Sequence, residues 1–204
     1  MSASGFADVL GSPLIQRLET DSCTGCLFAY AVVPGADANQ TLSSWAFYAD
    51  AAPTSPRPGG NLITPILFSP TGTVLGIGTT QTVTSPGAQS YSFGLASGSN
   101  VIQAGDLLGW RDGGTAANSG NNGTISLFLD GGPGIHYYSC VVQGTCAFSG
   151  SVAVGDTFAL ENASTTARSY SAEFTTTPEP GFYGALTLGL GVLIFRWCRS
   201  AKLN

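Results

Sequence analysis

The sequence predicts an all-β protein: an antiparallel β-sandwich, jelly-roll-like, followed by a single C-terminal hydrophobic helix. Three observations carry this. Glycine (28) and proline (11) interrupt the 204-residue chain every few residues, which leaves little room for helices. Between the breaks lie short apolar or alternating runs bounded by turn residues, the pattern of many short strands. Near the end, residues 181–195 form one run with no charge and no strong polar group beyond Thr187, so it lacks the polar stripe of a helix lying on a core.

Taken in order, the predicted strands are LFAYAVV (27–33), SWAFYA (44–49), NLITPILF (61–68), TVLGIG (73–78) and SYSFGL (90–95). DLLGW (106–110), TISLFLD (124–130), IHYYSCVV (135–142), DTFALEN (156–162) and RSYSAEFTT (168–176) follow. Two show a clean period of two. Tyr170, Ala172 and Phe174 share one face against Ser169, Ser171 and Glu173, and Ile125, Leu127 and Leu129 point one way. Such strands bury one face and wet the other, as in an antiparallel sandwich. Residues 50–60 and 112–123 are turn-rich polar excursions. The segments VIQAGDLLGW (101–110) and SVAVGDTFAL (151–160) align on Gly105-Asp106 and Gly155-Asp156, which reads as one turn used twice rather than as a ligand pair.

Composition points to export. Hydrophobic residues make up 43% of the chain, enough for a sizeable core, while charged residues make up only 9%, far below the share usual in cytosolic domains. Net charge is −5, and Arg17, Arg57, Arg111 and Arg168 stand singly. No surface here neutralises a row of phosphates, so nucleic acid is not an expected partner. The cysteines fit an oxidising compartment. Cys23 and Cys26 form a CxxC, and Cys140 and Cys146 flank a short loop. Local pairing within each couple is expected. A four-thiolate zinc site competes, but the second couple lacks the tight spacing of a metal knuckle. No βαβ pattern supports a redox CxxC.

Motifs for catalysis are missing. His136 is the single histidine and sits in a predicted strand beside Tyr137 and Tyr138. No GxSxG turn, P-loop, dinucleotide fingerprint or EF-hand loop occurs. A glycoside hydrolase needs two carboxylates across a cleft, and Asp50, Asp106, Asp112, Asp130, Asp156, Glu161 and Glu173 are the candidates. Several of these lie in Asp-Gly turns, where aspartate is structural. The protein is therefore expected to be no enzyme and to need no cofactor. Calcium is the one ion the oxygens of Asp112, Asp130 and Asp156 suit, although no motif marks a site. Sugar stacking would use Trp45, Trp110, Tyr137 or Tyr138, with Asp112 and Asp130 as polar neighbours. Trp45 and Trp110 read more readily as core residues, and one of the adjacent tyrosines faces out if both lie in a strand.

The C-terminus is the most specific feature. Pro178-Glu179-Pro180 precedes the apolar run, and Arg196, Arg199 and Lys202 follow it. The run is on the short side for a bilayer, which takes about twenty residues, and Trp197 extends it to an interface, giving a membrane helix over about 181–197. Basic residues stay on the cytoplasmic side, which orients the anchor with the N-terminal domain outside. This arrangement resembles the PEP-CTERM sorting signal of Gram-negative bacteria. The resemblance covers only the last 28 or so residues of the chain. It implies recognition by an exosortase, a transpeptidase-like membrane enzyme, and association with extracellular polysaccharide and biofilm matrix.

The expected organisation is an exported β-sandwich over 1–176 and a sorting signal over 177–204. The chain is expected to be anchored in the inner membrane before sorting and then to reach the cell surface or matrix. Residues 1–19 carry neither a basic n-region nor an apolar h-region. Because the tail and the cysteines require export, the recorded start is expected to lie inside the gene. The leading expectation is a non-catalytic surface or matrix protein. The alternatives are a carbohydrate-binding module and a secreted glycoside hydrolase.

Overall fold

The structure is a computed structural model that describes residues 7–17, 19–21, 26–49, 61–116, 127–131, 150–159 and 168–177. Among the described residues thirteen strands run in chain order: β1 (Val9–Gly11), β2 (Glu19–Asp21), β3 (Leu27–Val32), β4 (Thr41–Ala49), β5 (Asn61–Phe68), β6 (Val74–Gly78), β7 (Gln81–Val83), β8 (Gly87–Ser92), β9 (Leu95–Gly98), β10 (Leu107–Asp112), β11 (Leu127–Gly131), β12 (Arg168–Tyr170) and β13 (Ala172–Thr177). A short 3₁₀ turn, Gly35–Asp37, is the only helical element among the described residues. One sheet has the order β1-β13-β4-β11-β12, with β2 beside β11 and β8 beside β4. The other has the order β3-β10-β5-β6-β9, with β7 beside β5. All pairings are antiparallel. The predicted all-β class is what the chain adopts, in a sandwich-like form.

The two sheets meet through one apolar cluster. Leu42, Trp45 and Phe47 on β4 and Phe174 on β13 face Phe28 and Tyr30 on β3 and Leu67 on β5. Trp110 stacks on Phe28 at 4.9 Å between centroids and meets Tyr170 edge-on at 5.3 Å. Tyr170 belongs to the first sheet and Trp110 to the second, so this ring group bolts the sheets together. The Tyr30 hydroxyl, held above its ordinary pKa by burial, donates to the Tyr170 carbonyl at 2.9 Å and meets Ser12 Oγ at 2.7 Å. In β4 the buried positions step from Leu42 to Trp45, a spacing of three. The register shift opposite Thr175 and Thr176 explains it: an extra residue at Ser43-Ser44 resets which side chains face inward.

The alternating strands at 124–130 and 168–176 belong to the first sheet, and the second sheet is buried on both sides. Leu27, Ala29, Ile66, Phe68 and Leu107 lie on its outer side and are buried against Val152 and Phe158. Residues 150–159 lie across this face as a cover. The cover is tied down by Val152 N–H to Thr115 O at 2.8 Å, Val74 N–H to Asp156 O at 2.8 Å and Phe158 N–H to Gly72 O at 3.1 Å. Arg111, fully buried on β10, donates from Nη2 to Gly150 O at 2.9 Å. The strand expected at 156–162 is therefore, as far as 159, a cover segment with a single bridge from Thr157 to Thr73. Ser171 departs from its expected wet face as well. It is 0% exposed because residues 12–17 cross over it, with Arg17 Nε donating to Ser171 Oγ at 2.8 Å.

Candidate functional site

The structure places two of the ligand candidates in the interior. Trp110 is 0% exposed and Asp112 1%. The Trp110 ring presents no face to a sugar in this fold, and the core reading of Trp45 and Trp110 is the one their burial matches. Asp130 lies on β11, its backbone paired with Ser169. Cys26 is buried and disulfide-bonded, and its backbone carbonyl accepts from the Asp112 N–H at 2.9 Å. Cys23, Cys140, Cys146, Tyr137, Tyr138, Pro178, Glu179, Pro180, Arg196, Arg199 and Lys202 lie outside the described residues.

The two Gly-Asp segments prove to be one device built twice. Gly105 and Gly155 have φ of +86° and +92°, a backbone that L side chains rarely adopt. Asp106 Oδ2 accepts from the Gln103 N–H at 2.8 Å, and Asp156 Oδ2 accepts from the Ala153 N–H at 2.8 Å. Each turn then docks on a strand. Gly105 and Asp106 exchange backbone bonds with Val33, and Gly155 and Asp156 do the same with Val74. Ile102 and Val152, four residues before each aspartate, are both buried. Burial raises the Asp106 pKa, partly offset by the Gln103 N–H. Both carboxylates are committed to their own turns, which favours the structural reading over a ligand pair.

A carboxyl pair that sequence reasoning missed joins three distant segments. Gln40 Nε2 donates to Asp8 Oδ2 at 3.0 Å and to Asp37 Oδ1 at 3.3 Å, and Thr176 Oγ1 donates to Gln40 Oε1. Asp37 is buried, and burial first, then a hydrogen bond and charge repulsion from Asp8, raise its pKa. The two carboxyls share Gln40 Nε2 as a common donor. Gln40 thereby ties the start of β1 to the 3₁₀ turn Gly35–Asp37 and to the end of β13. No local pattern marks this pair, because its members are far apart in sequence.

A cleft of about 540 Å³ opens between the β6–β9 side of the second sheet and the cover. Ile77 and Val152 are its buried apolar residues, and the hydroxyls of Thr79, Thr80, Ser97 and Thr115 line it. No charged side chain is among its described lining residues. Among the described residues, no group of three or more His, Cys, Asp or Glu side chains is placed to hold a metal ion. No family model matches the chain, and no curated protein matches it.

Proposed function

We propose that this is an exported, non-catalytic cell-surface or matrix protein of a Gram-negative bacterium, associated with exopolysaccharide and sorted by an exosortase. The observation that carries this is the sequence pattern of the tail: Pro178-Glu179-Pro180, an uncharged apolar run, then Arg196, Arg199 and Lys202. In this reading residues 181–197 form one membrane helix, and the preceding domain has a jelly-roll-like connection. Two features of the domain support it. A disulfide at a buried cysteine suits an oxidising compartment. An all-β domain poor in charge suits a surface module whose strands are joined by many turns.

A second reading is a carbohydrate-binding module, and the uncharged, hydroxyl-lined cleft is the observation that favours it. Trp110 supplies no aromatic platform for that role, because its ring is buried. The sorting claim is tested in the native host by comparing the wild type with a variant in which Pro178, Glu179 and Pro180 are replaced by alanine. Wild type is expected at the surface or in the matrix, and the variant in the inner membrane. Identical fractionation of the two removes the main support for the matrix assignment.

A further inference from the structure

We propose that the cleft between the β6–β9 side of the second sheet and the Ala153–Val154 part of the cover binds a segment of an uncharged polysaccharide. This rests on the exopolysaccharide reading above and assigns it a place on the molecule.

The direction of the hydrogen bonds in the cleft wall is the first argument. Thr64 has a single hydroxyl hydrogen and donates it to Gly113 O at 2.7 Å. Its 2.8 Å contact with Thr80 Oγ1 must then carry the hydrogen of Thr80. The neighbouring Thr79 gives its hydrogen to Gly94 O at 2.5 Å. Two adjacent hydroxyls lining the cleft therefore have no hydrogen left to give. They present only lone pairs, fixed in place by partners in the protein wall. A wall of oriented, uncharged acceptors selects a ligand that brings O–H or N–H donors. Those two hydroxyls offer no hydrogen to a phosphate, sulfate or carboxylate. With no carboxylate among the described lining residues, it is also a poor cation site. Ser97 Oγ has no partner among the described residues and is exposed, so it adds a hydroxyl that either donates or accepts.

Shape and apolar content narrow the donor-bearing ligand to a sugar chain. Ile77 and Val152 are apolar residues of the lining, and Val154, 43% exposed, stands at the rim. A pyranose has the matching character: hydroxyls around its edge and C–H groups on its faces. The volume falls within the range of about 300–1,000 Å³ typical of small-molecule sites. The β9 residues Ala96 and Ser97 on one side and Ala153 and Val154 on the other are all exposed, so the cleft is open along the surface and admits a segment within a polymer. A peptide strand is the competing occupant. It would pair with the backbone edge of β9 and would depend little on side-chain hydroxyls.

The test is native affinity electrophoresis of the full chain in gels containing dextran, hydroxyethyl cellulose, galactomannan or xylan, with alginate as the anionic comparison. Retardation by at least one neutral polymer is expected, and none that is specific to alginate. Thr80→Val keeps the shape and deletes one acceptor, and Ser97→Arg fills the cleft from an exposed position. Each is expected to weaken binding about tenfold, with unchanged thermal unfolding as the check on folding. Absence of retardation by all four neutral polymers overturns the proposal. So does retardation that both folded variants retain, which would leave the matrix assignment standing but move the contact elsewhere. Binding displaced by an extended peptide overturns it in favour of strand addition at β9. Sorting is read separately by cell fractionation, so failure here and failure of the sorting reading are told apart.

Discussion

Trp110 shows how a residue type can mislead while its neighbours inform. An indole invites a sugar-stacking role, yet this ring is enclosed by Phe28, Tyr30 and Tyr170. Trp110→Ala should cost about 3–5 kcal/mol, the range for emptying a large aromatic site, measured by urea unfolding. Trp110→Phe should cost less, because the indole N–H has no acceptor among the described residues. Asp37 makes a second prediction at this scale. Its carboxyl is raised above the ordinary value near 3.8, so the folded protein holds that proton to higher pH than the unfolded chain does. The contribution is full below the ordinary value and is lost as pH rises through the folded value. Asp37→Asn should therefore flatten the fall in stability across that window, while Gln40 and Asp8 stay in place. Equal slopes for the two proteins in pH-dependent unfolding would refute this. Neither Asp37 nor the acceptor threonines could be found from sequence, because their roles depend on partners at Asp8, Thr176, Thr64 and Gly113 that no local pattern connects.

At the scale of elements, strand existence was legible and strand environment was only half so. The period of two in 170–174 correctly places Tyr170, Ala172 and Phe174 inward. The second sheet is different. NLITPILF does not alternate, and a continuous apolar run is the mark of a strand covered on both sides. The missing information was what supplied the second cover, and it came from a segment read as another strand. The repeated Gly-Asp turn explains the cover's position. Asp156 holds the turn whose backbone bonds fasten residues 150–159 to Val74. Asp156→Ala should cost about 1 kcal/mol and speed hydrogen exchange at the Ala153 and Val74 amides. Asp106→Ala should do the same at Gln103 and Val33, since the geometry is shared. Unchanged exchange at these amides would mean the carboxylates are ornaments of the turn rather than its fasteners. Close approach between strands sets a further limit. A Cβ at Gly109 would stand 1.8 Å from Phe28 O, at the register shift between β10 and β3, which accounts for a glycine in the middle of a buried strand.

For the whole molecule, the domain and the tail supply different kinds of information. The domain accounts for stability and carries an uncharged cleft among its described residues, and the tail sequence motivates the proposed destination. Reduction should lower stability by about 2 kcal/mol, the value for a bond at Cys26 that closes the short loop expected of local pairing, read as the shift in unfolding midpoint with and without dithiothreitol. Composition and strand spacing were enough to place the class of the fold, because glycine, proline and short apolar runs act locally. The cleft was not legible, because it forms between β6, β9 and a cover segment far along the chain. The central claim is that the chain is delivered to the surface through its tail. The most direct measurement is the intact mass of the protein recovered from the matrix of its native host. A mass ending near residues 177–180, without the apolar run and the basic cluster, is the predicted result. A matrix-located protein that retains Arg196, Arg199 and Lys202, or a full-length chain found only in the inner membrane, would contradict it.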